Sequence, residues 1–180
     1  MLAEDETDLL MFPPLRAGWS RRGTPVEVHL RGWNARRVIF GAMNLVTGTR
    51  LLRARLRGRA ADFQAFLREV RGHYRGRHVA LLLDSDSSHT AKGSLRAAAG
   101  MTLLWLPKRS PELNPIEALW GQGKDVIAAN KQYGTIDEQV NRFLAYRGGL
   151  SCRDALQTSG LLSDDFWLRE DLSKKFCGPA

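Results

Sequence analysis

Cysteine is scarce in this sequence, with only Cys152 and Cys177 among 180 residues. Two thiols can build neither a disulfide framework nor a four-thiolate metal site, so a reducing compartment is the default expectation. The four histidines, His29, His73, His78 and His89, show no ligand spacing with those cysteines, which disfavours zinc. Long apolar runs are missing too. Stretches such as Val79 to Leu83 are far too short to span a bilayer. The first dozen residues carry Glu4, Asp5, Glu6 and Asp8, unlike the basic start of a secretory signal. No membrane partner is therefore expected, and the cytoplasm is the expected location. There is no Gly-rich phosphate loop, no nucleophilic serine elbow and no internal repeat.

Basic charge is what the chain has in excess. Lys and Arg outnumber Asp and Glu by 27 to 19, a net charge of +8, and the surplus is mostly arginine. Guanidinium groups fork onto phosphate oxygens, and a basic domain attracts polyanions, of which nucleic acid is the commonest. The alternative is a protein that is simply basic. A hydrophobic fraction of 43% is ample for one packed core and too high for a disordered chain.

The pattern along the chain predicts an α/β fold. Met1 to Glu4 read as the end of a strand that delivers Asp5 at its tip. Phe12-Pro13-Pro14 breaks that strand, Arg16 to Pro25 reads as a basic loop, and Val26 to Leu30 as a short alternating segment. Arg36 to Leu45 is a buried strand, and Thr47-Gly48 turns it into a partner in which Leu52, Ala54 and Leu56 alternate with Arg53, Arg55 and Arg57. Phe63, Phe66, Leu67, Val70 and Tyr74 fall at three-and-four spacing, predicting a helix over 59–74. His78 to Leu83 and Met101 to Leu106 read as buried strands flanking a helix over 92–99. Asn114-Pro115-Ile116-Glu117 is a helix start, with Asn as cap and Pro at the first helical position. Thr135-Ile136-Asp137-Glu138 is a second one, whose helix turns Ile136, Val140, Phe143 and Leu144 inward. Residues 1–150 are expected to form the principal domain, with 151–180 a tail containing a short helix.

Three acids stand where chemistry is commonly placed. Asp84 follows Leu81-Leu82-Leu83 and so sits at the carboxyl end of a buried strand, although an aspartate there also serves as an ordinary helix cap. Asp84-Ser85-Asp86 by itself also looks like the paired aspartates of a phosphatase. Glu117 can be explained as a residue that complements its own helix N-terminus, but the basic Lys108-Arg109-Ser110 loop lies close by in sequence. Asp5 belongs to the acidic cluster Glu4, Asp5, Glu6 and Asp8, which is either a solvated end or a set of repelling charges that a divalent cation would relieve. Three such acids suit hard cations such as Mg²⁺, and two ions a few ångströms apart can drive phosphodiester transfer. Lys108, Arg109, Arg16, Arg21, Arg22, Arg36, Arg37, Arg53, Arg55 and Arg57 are candidates for phosphate contact. The alternating Arg53, Arg55 and Arg57 are equally well read as the solvated face of a hairpin. Trp19 and Trp33 are offered either to base stacking or to packing.

Taken as motifs, Glu4-Asp5-Glu6-Thr7-Asp8 with Trp19 and Gly23-Thr24-Pro25, Leu81-Leu82-Leu83-Asp84 with His89, and Leu106 to Glu117 with Trp120 resemble the three blocks of the DDE domain in bacterial insertion-sequence transposases of the mariner superfamily. The resemblance covers nearly the whole chain, and its third block is long and specific. It implies a ribonuclease-H-like mixed sheet flanked by helices, a catalytic and metal-holding triad of Asp5, Asp84 and Glu117, and two Mg²⁺ or Mn²⁺ ions. It further implies DNA strand cleavage and transfer, with transposon ends and target as DNA partners, a homo-oligomer in the active state and association with the nucleoid. Arg21, Arg22, Lys108 and Arg109 would contact DNA, and His89 and Asn114 would support the site from behind. The sequence departs from the family at Ser85-Asp86-Ser87, where many members have Asn after the aspartate, and at Gly121 and Gly123, which loosen a helix or mark close packing. Members also carry helix-turn-helix modules before the first aspartate, which here is the fifth residue. The expectation is thus a fragment, a split frame or a truncated copy, with an inactive DNA- or transposase-binding relic as the alternative.

Overall fold

The computed structural model describes residues 1–24, 27–170 and 172. Five strands form one mixed sheet in the order β3-β2-β1-β4-β5. The strands are β1 (Leu2–Leu10), β2 (Arg36–Asn44), β3 (Arg50–Arg55), β4 (Ala80–Leu83) and β5 (Thr102–Trp105). The first three form an antiparallel meander, while β4 joins β1, and β5 joins β4, in parallel. The helices are α1 (Ala60–His73), α2 (Ser87–Thr90), α3 (Lys92–Ala97), α4 (Pro115–Gly123), α5 (Ile136–Gly149) and α6 (Cys152–Thr158); a π turn, Lys124–Ala128, continues α4.

Strand periodicity divides the core in two. On one face Leu2, Val38, Phe40, Leu81 and Leu83 meet Phe63, Phe66, Leu67 and Val70 of α1. On the other, Ala3, Leu9, Ile39, Met43 and Leu82 meet Ile116, Leu119 and Trp120 of α4 and Val140 and Phe143 of α5. Each fully buried large apolar side chain contributes roughly 1.5–3 kcal/mol, so the α1 stripe suffices to fix that helix on the sheet.

Several expectations change. β1 runs for nine residues, so Asp5 is at the middle of a central strand and not at a fraying tip. Glu4, Asp5 and Glu6 interrupt the apolar pattern, which hides the strand's length. The acidic cluster is no solvated end, because Glu4 is 0% exposed. Residues 27–30 have no regular structure, and Pro25 and Val26 lie outside the described residues, as does Cys177. β5 is an edge strand with Leu104 and Trp105 largely exposed, not a buried one. Among the described residues no helix is long and apolar enough to cross a membrane.

Candidate active site

β1 and β4 pair only through Leu2–Leu81 and Ala3–Leu82. Beyond that point β4 ends at Leu83 while β1 continues, and the two strands open at the carboxyl end of β4. Open α/β sheets place their ligands outside strand carboxyl ends, and Asp84 stands at that point. Asp5 projects on the α4 side, with Ala3 and Leu9, while Glu4 and Glu6 project towards α1 (the period-two alternation of a strand).

α4 carries the third acid, and its start is tied to β1. The Asn114 amide, buried, donates from Nδ2 to the Glu4 carbonyl oxygen at 3.0 Å, and its Oδ1 accepts the Ile116 N–H at 3.4 Å. One side chain therefore caps the helix and fixes it beside the residue preceding Asp5. Pro115 at the first helical position needs no partner for the N–H it lacks. One turn on, Trp120 donates its indole N–H to Asp5 Oδ2 at 3.0 Å. Opposite Asp5 in the β1–β2 register is Gly41, where an added Cβ would lie 2.4 Å from Trp120 Cη2. The absence of a side chain at residue 41 is what lets the indole reach Asp5.

Asp5, Asp84 and Glu117 line one cavity of about 80 Å³, together with Arg109, Ser110 and Asn114. Burial, reinforced by the Glu117 and Glu6 charges, pushes the Asp5 carboxyl up to about 8. Burial also raises Glu117, with Asp84 adding to the effect, and its carboxyl is hydrogen-bonded to that of Asp5. Two carboxyls in such contact need a proton or a cation between them. The donor set is oxygen-only, the chemistry that suits Mg²⁺ or Mn²⁺, so the residues present fit such ions.

Asp84 is held from behind. Its Oδ1 lies 2.8 Å from Nδ1 of His89, and the Asp86 N–H donates to it at 3.1 Å. Nε2 of His89 is 3.0 Å from Glu6 Oε1, and its ring packs on Phe63 at 4.3 Å between centroids. Burial works against protonation of His89, but the Glu6 hydrogen bond and the Glu4 and Glu6 charges prevail, raising it to about 10. Asp86 is the helix cap, accepting the Ser88 N–H at 2.7 Å. The capping role that would explain Asp84 without chemistry is thus performed by its neighbour.

The expected basic residues are distributed unevenly. Arg109 lines the cavity from a left-handed backbone conformation at φ 59°, and Lys108 precedes it, exposed, in the same loop. Arg21 and Arg22 are exposed in the long β1–β2 connection and do not line that cavity. Arg53 and Arg55 both pair with Glu69 of α1, so they cover a helix and form no free basic face. Arg16, Arg36 and Arg37 are likewise paired, with Asp125, Asp8 and Asp137. Trp19 and Trp33 are exposed, which excludes packing within the chain as their role. Gly123 faces Phe143 and Arg147 too closely for any side chain, so close packing explains it; Gly121 has open space. Sequence reasoning missed Gly41, Trp120's bond to Asp5, and Glu4 and Glu6 as partners of His89. The last of these joins residues 83 positions apart and leaves no local signal.

A mixed sheet in this order, with a carboxylate from the first strand, one after the fourth and one from a following helix, defines a ribonuclease-H-like domain. The chain belongs to the DDE superfamily endonuclease family, whose model matches residues 1–139. A protein of insertion element IS630 from Shigella sonnei is 27% identical over 133 residues, 72% of this chain and 39% of that protein. The y4pE/y4sA protein of Sinorhizobium fredii is 36% identical over 70 residues, 39% of this chain and 51% of that one. The chain thus spans about two-fifths to half the length of these relatives. Among solved structures, a mariner Mos1 paired-end complex with Mg superposes with TM-score 0.69 at 15% identity, over 96% of this chain and 53% of that one. The catalytic domain of Mos1 mariner transposase gives TM-score 0.59 at 13% identity, over 89% and 76%. At such identities the likeness is one of fold.

Proposed function

We propose that this chain is the catalytic domain of a DNA transposase, performing metal-dependent strand cleavage and strand transfer for an insertion sequence. The convergence of Asp5, Asp84 and Glu117 on one small cavity carries this reading. Asp5, Asp84 and Glu117 would hold two divalent ions, Mg²⁺ or Mn²⁺. Such ions supply polarisation of the scissile phosphate and activation of the attacking oxygen. The chain's own residues do the positioning. Trp120 and Asn114 fix Asp5 and the helix bearing Glu117, and His89 orients Asp84 through its Nδ1. Arg109, at the cavity wall, would take a phosphate oxygen, with Lys108, Arg21 and Arg22 continuing along the DNA backbone.

The relative from an insertion element and the mariner paired-end complexes support DNA ends as the substrate. Residues 1–150 would be the catalytic unit and 151–180 its tail. The active form would be a homo-oligomer at the nucleoid. The test is cleavage of a radiolabelled duplex oligonucleotide with Mn²⁺, in the wild type and in Glu117→Gln. Metal-dependent nicking that the variant loses supports the reading; nicking that persists in Glu117→Gln contradicts the role given to Glu117, and a wild type inert towards every duplex offered leaves only a DNA- or transposase-binding module.

A further inference from the structure

Glu4 presents an anomaly on the other side of β1 from the triad. Its side chain is 0% exposed, and neither Oε1 nor Oε2 has a hydrogen-bond partner. A buried carboxylate without donors is among the most costly arrangements in a protein interior, and native structures rarely keep one without a compensating charge. Its polar neighbours on the α1 side are Glu6 and His89. Glu4 Oε2 lies 3.9 Å from His89 Nε2, and that nitrogen is 3.0 Å from Glu6 Oε1 and 3.1 Å from Glu6 Oε2. One ligand atom from each of the three residues falls within 4.8 Å of the others.

We propose that Glu4, Glu6 and His89 form a second divalent-cation site, selective for a transition metal such as Zn²⁺, on the α1 side of β1. One imidazole nitrogen with two carboxylates is a zinc-type donor set, whereas the oxygen-only triad suits magnesium. Ligand bonds of about 2.0–2.2 Å are compatible with atoms this close together. The ion would neutralise one buried and one half-buried carboxylate at once and give Glu4 a close partner in place of the hydrogen bond it lacks. The orienting carboxylate on the other ring nitrogen is Asp84, whose Oδ1 is 2.8 Å from Nδ1. Metal-bound histidines characteristically donate that second N–H to a carboxylate, which fixes both tautomer and ring. The site would thus set the orientation of Asp84 from the far side of the sheet. With His89 only 2% exposed, the ion enters during folding or local opening.

The test is Zn²⁺ binding to the full chain, first stripped by a chelator, in excess Mg²⁺ that occupies the triad. Expected is one Zn²⁺ per chain, with affinity lowered at least about 10- to 100-fold in Glu4→Gln and in His89→Gln, and unchanged in Glu117→Gln. X-ray absorption of the wild-type zinc complex should show one imidazole, and bound Zn²⁺ should raise the unfolding temperature. Circular dichroism checks that the variants fold; if they do not, the wild-type absorption spectrum decides. No Zn²⁺ retained, equal retention in Glu4→Gln, or a zinc shell without imidazole overturns the proposal. Zn²⁺ lost only in Glu117→Gln also overturns it, since that places the zinc in the triad and leaves the proposed function standing.

Discussion

Trp120 and Asp5 are joined across the sheet–helix boundary by a 3.0 Å hydrogen bond from the indole N–H to Oδ2. The bond couples the helix bearing Glu117 to the strand bearing Asp5, and Asp5 lines the cavity shared with Asp84 and Glu117. Replacing Trp120 by Phe removes the donor while keeping most of the ring. The expected cost is about 0.5–1.5 kcal/mol in chemical denaturation, with weaker Mn²⁺ binding as its companion. Unchanged Mn²⁺ affinity would show that the indole does not position Asp5.

Gly41 makes that bond possible. In Gly41→Ala the new Cβ falls within 2.4 Å of the Trp120 ring, against a side chain that is itself 1% exposed and cannot swing away. A loss of about 1–3 kcal/mol is expected, as for other overpacked cores. The double variant Gly41→Ala with Trp120→Phe should lose less than the two single losses combined, since the clashing Cη2 and Cζ2 lie at the far end of the indole, beyond the reach of a phenyl ring. Strictly additive losses in the double variant would show that the indole's outer ring is not what the new Cβ meets.

Stability should depend on pH with a definite sign. Burial and the charges of Glu117 and Glu6 raise Asp5 from 3.8 to about 8. Its folded pKa lies above the unfolded one, so its contribution is complete below pH 3.8 and is lost as pH rises through 8. His89, raised from 6.5 to about 10 by Glu6 and Glu4 against its own burial, acts with the same sign between those values. Chelated protein should therefore unfold at progressively lower temperature from pH 5 to 9 (roughly the window these two groups span). Millimolar Mg²⁺ should flatten the part due to Asp5. A metal-free protein that gains stability across that window would contradict this electrostatic picture.

The arginines separate into paired and unpaired sets, and DNA affinity should follow the division. Lys108→Ala with Arg109→Ala should weaken duplex binding and reduce the magnitude of the salt slope by about 1–2, one for each phosphate no longer neutralised. Arg53→Ala with Arg55→Ala should leave the slope nearly unchanged, because both side chains are held by Glu69. Their removal should instead appear as a modest fall in stability, about 0–1 kcal/mol per exposed pair. Fluorescence anisotropy across a salt series distinguishes the two outcomes.

The motifs legible in the sequence are those whose chemistry is local. Asn114-Pro115 announces the start of α4, and the spacing of Phe63, Phe66, Leu67 and Val70 announces α1, because caps and amphipathic stripes depend on neighbours three or four residues apart. β1 is hard to read because its acidic residues at 4, 5 and 6 look like solvent-facing chain, and only the helices packed on the two faces of the sheet cover them. The arginine alternation on β3 is visible, but Glu69, which absorbs it, lies on a different element. His89 stands out near the second aspartate, while its far ring nitrogen meets Glu6 from β1, a contact set by topology alone.

The triad itself is best tested by titrating Mn²⁺ calorimetrically into the wild type and into Asp5→Asn, Asp84→Asn and Glu117→Gln. Each variant should lose most of the same binding component, since each removes an oxygen donor from the one cavity the three acids share. Binding that survives unchanged in Glu117→Gln, while the protein remains folded, would contradict the assignment of these three carboxylates to a single metal-holding site.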